Sequence, residues 1–238
     1  MVEINLSMNK KMIAPKYNEA KHVSGGSQKW ESWLNSWEFS LFGSSYFQYR
    51  MITFVRETIK QNSKILEVGC GAGRTAAIFA DMGYQVDAGD INEELITRAT
   101  EKFGKLANFR VFDMFGLPYD DNTFELAYSQ GVLEHFEDEA IIAAVKEQLR
   151  VAKYVLVDVP NSRSTINFGN ERRISNTKWR SLLEEGGMGS IYFEGRDLVS
   201  HAVFMFVKNA RLRRIICSPL WHLWSKTSLF WGTKKSIG

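Results

Sequence analysis

The segment Lys64–Arg74 constrains this chain more than any other. An apolar run, Lys64–Val68, breaks into Gly69-Cys70-Gly71-Ala72-Gly73-Arg74. Glycine at three alternate positions lets the backbone turn sharply and lets another group lie against it without meeting a Cβ. Beyond the turn, Arg74–Met82 carries Ala76, Ala77, Ile78, Phe79 and Met82 and stops at Gly83, a residue suited to a helix C-cap. A short strand, a glycine turn and a helix in succession predict the opening unit of a parallel α/β sheet.

The pattern continues. Gln85–Gly89 reads as a second strand, and Asn92 then caps a helix whose first turn holds Glu93 and Glu94, matching the helix dipole. Further strands are expected at Phe109–Phe112, Phe124–Tyr128 and Tyr154–Asp158, the last ended by Pro160, with an amphipathic helix at Glu137–Leu149. Asn176–Glu185 reads as a helix stopped by Gly186-Gly187, and Ser190–Glu194 as a sixth strand. Leu198–Ile216 reads as helical, and Ser228–Thr233 as the last strand, with Ala202–Val207 as the alternative. The expected fold is a Rossmann-like, seven-stranded, mainly parallel sheet with helices on both faces, and such sheets bind ligands at the carboxyl ends of their strands. Ahead of the sheet, residues 1–28 are polar, with a break at Gly25-Gly26-Ser27, and residues 29–60 are rich in Trp, Phe and Tyr. This divides the chain into an N-terminal helical cap, 1–60, and an α/β domain, 61–238.

Composition narrows the class. With 238 residues, 45% hydrophobic and 24% charged, the chain suits one soluble α/β domain with trimmings. A net charge of +3 is too mild to imply nucleic acid. Cys70 and Cys217 form no CxxC pattern, which argues against zinc and disulfides and for a reducing compartment. The N-terminus has no apolar signal core and no stretch reaches eighteen apolar residues, so a cytoplasmic location is expected.

The glycine spacing separates two cofactor classes. A dinucleotide fingerprint counted from Gly69 would need glycine where Arg74 stands. The spacing is instead Glu-x-Gly-x-Gly-x-Gly, starting at Glu67. In this form the chain resembles the class I S-adenosylmethionine-dependent methyltransferases, in particular a small-molecule group like that of ubiquinone biosynthesis. The resemblance covers about residues 60–160 and implies that Glu67, Gly69, Gly71 and Gly73 form part of the cofactor site. It implies further that Asp90, seventeen residues beyond Gly73, accepts the ribose hydroxyls, and that Ile91 packs on the adenine. After the third strand, Asp113 is placed for the adenine amino group, with Met114 beside it. After the fourth, Ser129–Phe136 (SQGVLEHF) supplies backbone around Gln130 to the cofactor. Arg50, before the first strand, is a candidate for the cofactor carboxylate, since a bidentate contact suits arginine; a solvated surface arginine is the alternative.

His135 is the candidate base, because histidine suits proton removal near neutral pH; a structural role is the alternative. Trp37, Tyr46, Tyr49 and Asn161 are candidate substrate contacts. The stretch Trp30–Tyr49 reads either as a lid over the acceptor or as permanent cover of the core. Residues 198–238 hold seven basic residues and no acid, with Trp221, Trp224 and Trp231 between them. A solvated face explains this, as does an anionic acceptor or a membrane surface. No carboxylate trio marks a metal site. The expected activity is methyl transfer to O or N of a small molecule, with S-adenosylhomocysteine as product and nucleic acid not expected as a partner. An RNA or protein methyltransferase and a non-catalytic cofactor-binding subunit are the alternatives.

Overall fold

The computed structural model describes residues 41–164, 171–196 and 227–235. Helix α1 (Leu41–Thr58) leads into β1 (Lys64–Val68), α2 (Arg74–Asp81), β2 (Gln85–Asp90), α3 (Glu93–Phe103) and β3 (Asn108–Val111). Strand β4 (Phe124–Gln130) is followed by a 3-10 turn, Leu133–His135, and then by α4 (Asp138–Val151), β5 (Ala152–Pro160), α5 (Asn176–Glu185), β6 (Met188–Arg196) and β7 (Thr227–Lys234). The strands form one seven-stranded sheet in the order β3-β2-β1-β4-β5-β7-β6. The first five run parallel, and β7 pairs antiparallel with both β5 and β6. The Rossmann-like, mainly parallel sheet expected from the sequence is therefore present, and its last strand is the one expected at Ser228–Thr233.

Alternation along the strands separates two cores. Ile65, Leu126, Tyr128, Leu156 and Leu229 pack with α1, α2 and α3 on one face. Leu66, Ala127, Val155, Val157 and Phe230 pack with α4 and α5 on the other. This period of two is what a central strand covered on both sides requires. The parallel strands accordingly read as continuous apolar runs rather than polar–apolar alternation.

Helix α1 belongs to the first of these cores. Met51, Val55 and Ile59 are buried in it, and Phe54 meets Trp231 of β7 at 4.8 Å between ring centroids. The part of α1 from Met51 onward is therefore core cover, while Trp30–Phe47 and Tyr49 have no side chains among those described. Tyr46, Tyr49 and Arg50 lie on α1, with side chains outside those described. Trp37, the Gly25-Gly26-Ser27 break, the expected helix Leu198–Ile216 and the alternative strand Ala202–Val207 lie outside the described residues.

The loop between β3 and β4 is held by Arg150 of α4. Its guanidinium donates to the carbonyls of Leu117 (2.9 Å) and Tyr119 (2.8 Å) and to the carboxylates of Glu147 and Asp121. Residues 117–121, which lead back to the start of β4, thus have a fixed path against the end of α4. Among the described residues, no helix is long and apolar enough to cross a membrane.

Candidate functional site

The glycine turn is tied to its neighbours through the main chain. The amides of Gly69 and Cys70 both donate to the carbonyl of Gly89 on β2, at 2.8 and 3.0 Å. The three glycines have φ of 77°, 50° and 74°, the left-handed region that side chains disfavour. Their surroundings differ. A Cβ on Gly69 would stand 2.5 Å from Val132 Cγ2, and one on Gly73 would stand 2.5 Å from Phe109 Cε1 and 2.9 Å from Ala99 Cβ. Among the described residues, a Cβ on Gly71 would meet nothing within 4 Å. The outer glycines are therefore required by packing, while the middle one faces open space at the carboxyl edge of the sheet.

Asp90 borders that space. Its Oδ2 accepts from the Gly71 amide and its Oδ1 from the Asn92 amide, both at 3.0 Å. Burial pushes the Asp90 carboxyl up, and these amide bonds oppose the shift. Asn92 caps α3 as expected, its Oδ1 accepting from the Leu95 amide. Ile91 beside it is 39% exposed, an apolar side chain turned outward next to a carboxylate. Asp113, half-buried, holds its own turn by accepting from the Phe115 amide at 3.0 Å.

Other expected site residues lie deeper. Glu67 is buried behind the turn, where its Oε2 accepts from the Tyr128 hydroxyl at 3.0 Å. Burial pushes its carboxyl up to about 8, against the lowering by that hydroxyl and by the Ala76 amide. Glu67 thus braces the turn and the start of α2 from beneath. Met114 packs its side chain into the core with Phe115 and Leu117. Asn161, expected to contact substrate, is buried, and its amide is engaged internally: Nδ2 donates to Ser228 Oγ at 3.0 Å and Oδ1 accepts from the Arg163 amide at 2.9 Å. That network clamps β5 to β7 and holds the Asn161 side chain inside the fold.

The carboxyl ends of β4 and β5 form a second group. Gln130 Nε2 donates to Asp158 Oδ2 at 2.7 Å, and the Gly131 amide donates to the Asp158 carbonyl at 2.9 Å. His135 sits in the 3-10 turn with its Nε2 3.9 Å from Glu134 Oε1. Glu134 is 3% exposed, and burial, followed by the charges of Asp158 and Glu171, pushes its carboxyl up to about 8. The sequence reading did not single out Tyr128, Asp158 or Gln48. Asp158 obeys the same end-of-strand logic as Asp90 and was findable by it. Gln48 lies in a helix with little apolar periodicity and gave no signal.

Two outcomes follow from this geometry. Gly73→Ala should lower stability by about 2–4 kcal/mol, because it combines strain at positive φ with overlap against two packed side chains. Gly71→Ala should cost only about 1–2 kcal/mol, the backbone strain alone; urea denaturation of the two variants checks the difference. The second outcome concerns pH. With its carboxyl raised from 4.5 to about 8, Glu134 binds its proton more tightly in the folded chain. Its contribution to stability is present in full below pH 4.5 and is lost as pH rises towards 8. Urea midpoints should therefore fall less between pH 5 and pH 8 in Glu134→Gln than in the wild type.

Residues 65–154 match the family model described as a methyltransferase domain. The 2-methyl-6-phytyl-1,4-hydroquinone methyltransferase of Synechocystis is 35% identical over 100 residues, which are 41% of this chain and 31% of that protein. The chain thus spans less than a third of that curated relative. Its fold resembles the TehB-like S-adenosylmethionine-dependent methyltransferase of Corynebacterium glutamicum, with a TM-score of 0.57 at 18% identity, over 87% of this chain and 95% of that one. It also resembles a Pyrococcus horikoshii protein, with a TM-score of 0.64 at 17% identity, over 89% of this chain and 100% of that one. The sequence match falls on the strands and turn that build the open edge described above, so the likeness to methyltransferase domains extends over residues 65–154 of this chain.

Proposed function

We propose that the chain transfers the methyl group of S-adenosylmethionine to an oxygen or nitrogen of a small-molecule acceptor. The observation that carries this reading is the open face of Gly71 beside Asp90. Among the described residues, open space beside the Gly71 backbone lies next to a carboxylate and an outward apolar side chain. A nucleoside with a short polar tail has this combination of surfaces. When bound, S-adenosylmethionine supplies a methyl group already activated on a sulfonium.

The chain's own residues then bind, orient and exclude water. Asp90 accepts amide hydrogen bonds from Gly71 and Asn92, and a carboxylate has about four lone-pair sites, which leaves acceptor capacity for a ribose hydroxyl. Ile91 offers an apolar surface to the adenine face, and Asp113 lies at the next strand end. Gln130 and Gly131 are fixed through Asp158 and present backbone towards the same edge. His135, directly after β4, takes the proton that the acceptor atom loses as it attacks the methyl carbon. Alignment and desolvation supply most of the acceleration, because the leaving group is already activated. The Synechocystis relative is named for a substituted hydroquinone, which supports a small acceptor.

A library of phenols, hydroquinones and amines incubated with methyl-labelled S-adenosylmethionine tests the reading, with label in the acceptor as the expected result. Label in protein or RNA alone would replace the small-molecule reading. With an acceptor in hand, His135→Ala should leave S-adenosylhomocysteine affinity within a few-fold and lower turnover by roughly 10²–10⁴. It should also remove the acidic limb of the pH–rate profile. A limb that persists in the variant would make His135 structural.

A further inference from the structure

We propose that Arg172 is a positioning residue that sets the orientation of His135, an inference that rests on His135 as the base in the reading above. His135 ends a 3-10 turn of three residues, Leu133–His135. The bonds inside that turn are long. The His135 amide reaches the Val132 carbonyl at 3.3 Å, and the Phe136 amide reaches the Leu133 carbonyl at 3.2 Å. Hydrogen-bond geometry is poorer in a 3-10 turn than in an α-helix, so a turn this brief gains definition from contacts outside it. Arg172 supplies such contacts.

Two of them straddle His135. The main-chain amide of Arg172 donates to the Glu134 carbonyl at 2.9 Å, and its Nη1 donates to the Phe136 carbonyl at 2.7 Å. The first carbonyl belongs to the peptide plane that enters His135, and the second to the plane just beyond the one that leaves it. Holding both restricts the main chain from which the imidazole projects. The other guanidinium nitrogen, Nη2, donates to Asp138 Oδ1 at 2.7 Å. A planar guanidinium reaches a carbonyl and a carboxylate at once in a preset geometry, which a single ammonium does not offer. Burial raises the Asp138 carboxyl, but hydrogen bonds from Lys178 and Arg172 outweigh it and hold the group below its ordinary value.

The segment from which Arg172 reaches is itself anchored. Ile174 is buried in the core with α4 and α5, and Ser175 caps α5 by accepting from the Lys178 amide at 3.2 Å. Arg172 precedes both in the same short stretch. Orientation matters here because carboxyl groups meet the turn from several elements. Glu134 Oε1 lies 3.9 Å from His135 Nε2, and the charges of Asp158 on β5 and Glu171 beside Arg172 act on Glu134 in turn. An imidazole near several carboxyls holds its proton more or less tightly according to which it faces. Lys178 provides the contrast: its Nζ reaches Asp138 Oδ2 at 2.7 Å from α5, without bonding either carbonyl of the turn.

Histidine-ring NMR on the full chain reads the orientation directly. The chain has four histidines, and His135→Ala identifies the signal of interest. Arg172→Met should displace or broaden that signal and shift its titration midpoint. Lys178→Met, which removes the other cation from Asp138, should leave both in place. Calorimetric affinity for S-adenosylhomocysteine should stay within about two-fold of wild type in both variants. With an acceptor identified, Arg172→Met should lower kcat roughly 10- to 100-fold and leave KM for S-adenosylmethionine unchanged. Arg172→Lys keeps the cation but not the fork. It should displace the ring signal in the same way, and supplies the comparison if the methionine variant does not fold. An unmoved ring signal in the Arg172 variants, or an equal displacement in Lys178→Met, would make Arg172 a general stabiliser and overturn the proposal. A displaced signal with turnover intact in both Arg172→Met and His135→Ala would instead refute His135 as the base, and the role of Arg172 with it.

Discussion

The hydrogen bond from the Gly71 amide to the Asp90 carboxylate, 3.0 Å long, joins the two strand ends on which the candidate site is built. It acts together with the paired amides of Gly69 and Cys70 on the Gly89 carbonyl. Between them these bonds fix how the turn leaves β1 and how α2 begins. Gly69 against Val132 and Gly73 against Phe109 and Ala99 then leave no freedom for the turn to close over itself. Among the described residues, the space beside Gly71 is open without any side chain moving aside. Preorganisation of this kind lowers the ordering cost of binding.

Burial of acids beside the turn is the second constraint. Glu67 under the turn and Glu134 after β4 both have carboxyls pushed up to about 8, so each is largely uncharged near neutral pH. Glu67 is stabilised there by Tyr128, which is itself buried in the core with Phe79 at 5.2 Å. Glu134 gains less, since its Oε2 has no hydrogen-bond partner. The two positions illustrate the same physics with different compensation: a buried carboxyl persists in a core either by pairing or by keeping its proton.

Much of the fold was legible because its strands are short, apolar and punctuated by glycine, proline and caps. Asn92 as a cap and Gly71 and Asp90 at adjoining strand ends could be placed from residue type and order alone. Strand boundaries were less legible: β4 continues to Gln130 and β5 to Pro160, since polar residues at strand ends still pair with their neighbours. Side-chain destinations were the least legible. Asn161 has the chemistry of a substrate contact, but pairing with Ser228, 67 positions later, is decided by the β5–β7 register, which no local pattern encodes. The same holds for Glu67, whose partner Tyr128 lies 61 positions away.

The central claim is that the open edge beside Gly71 and Asp90 receives S-adenosylmethionine and not a dinucleotide. Calorimetric titration of the wild-type chain with S-adenosylhomocysteine, and separately with NAD, addresses it most directly. The expected result is saturable binding of S-adenosylhomocysteine at one site per chain and no heat with NAD. Saturable binding of NAD with none of S-adenosylhomocysteine would contradict the claim.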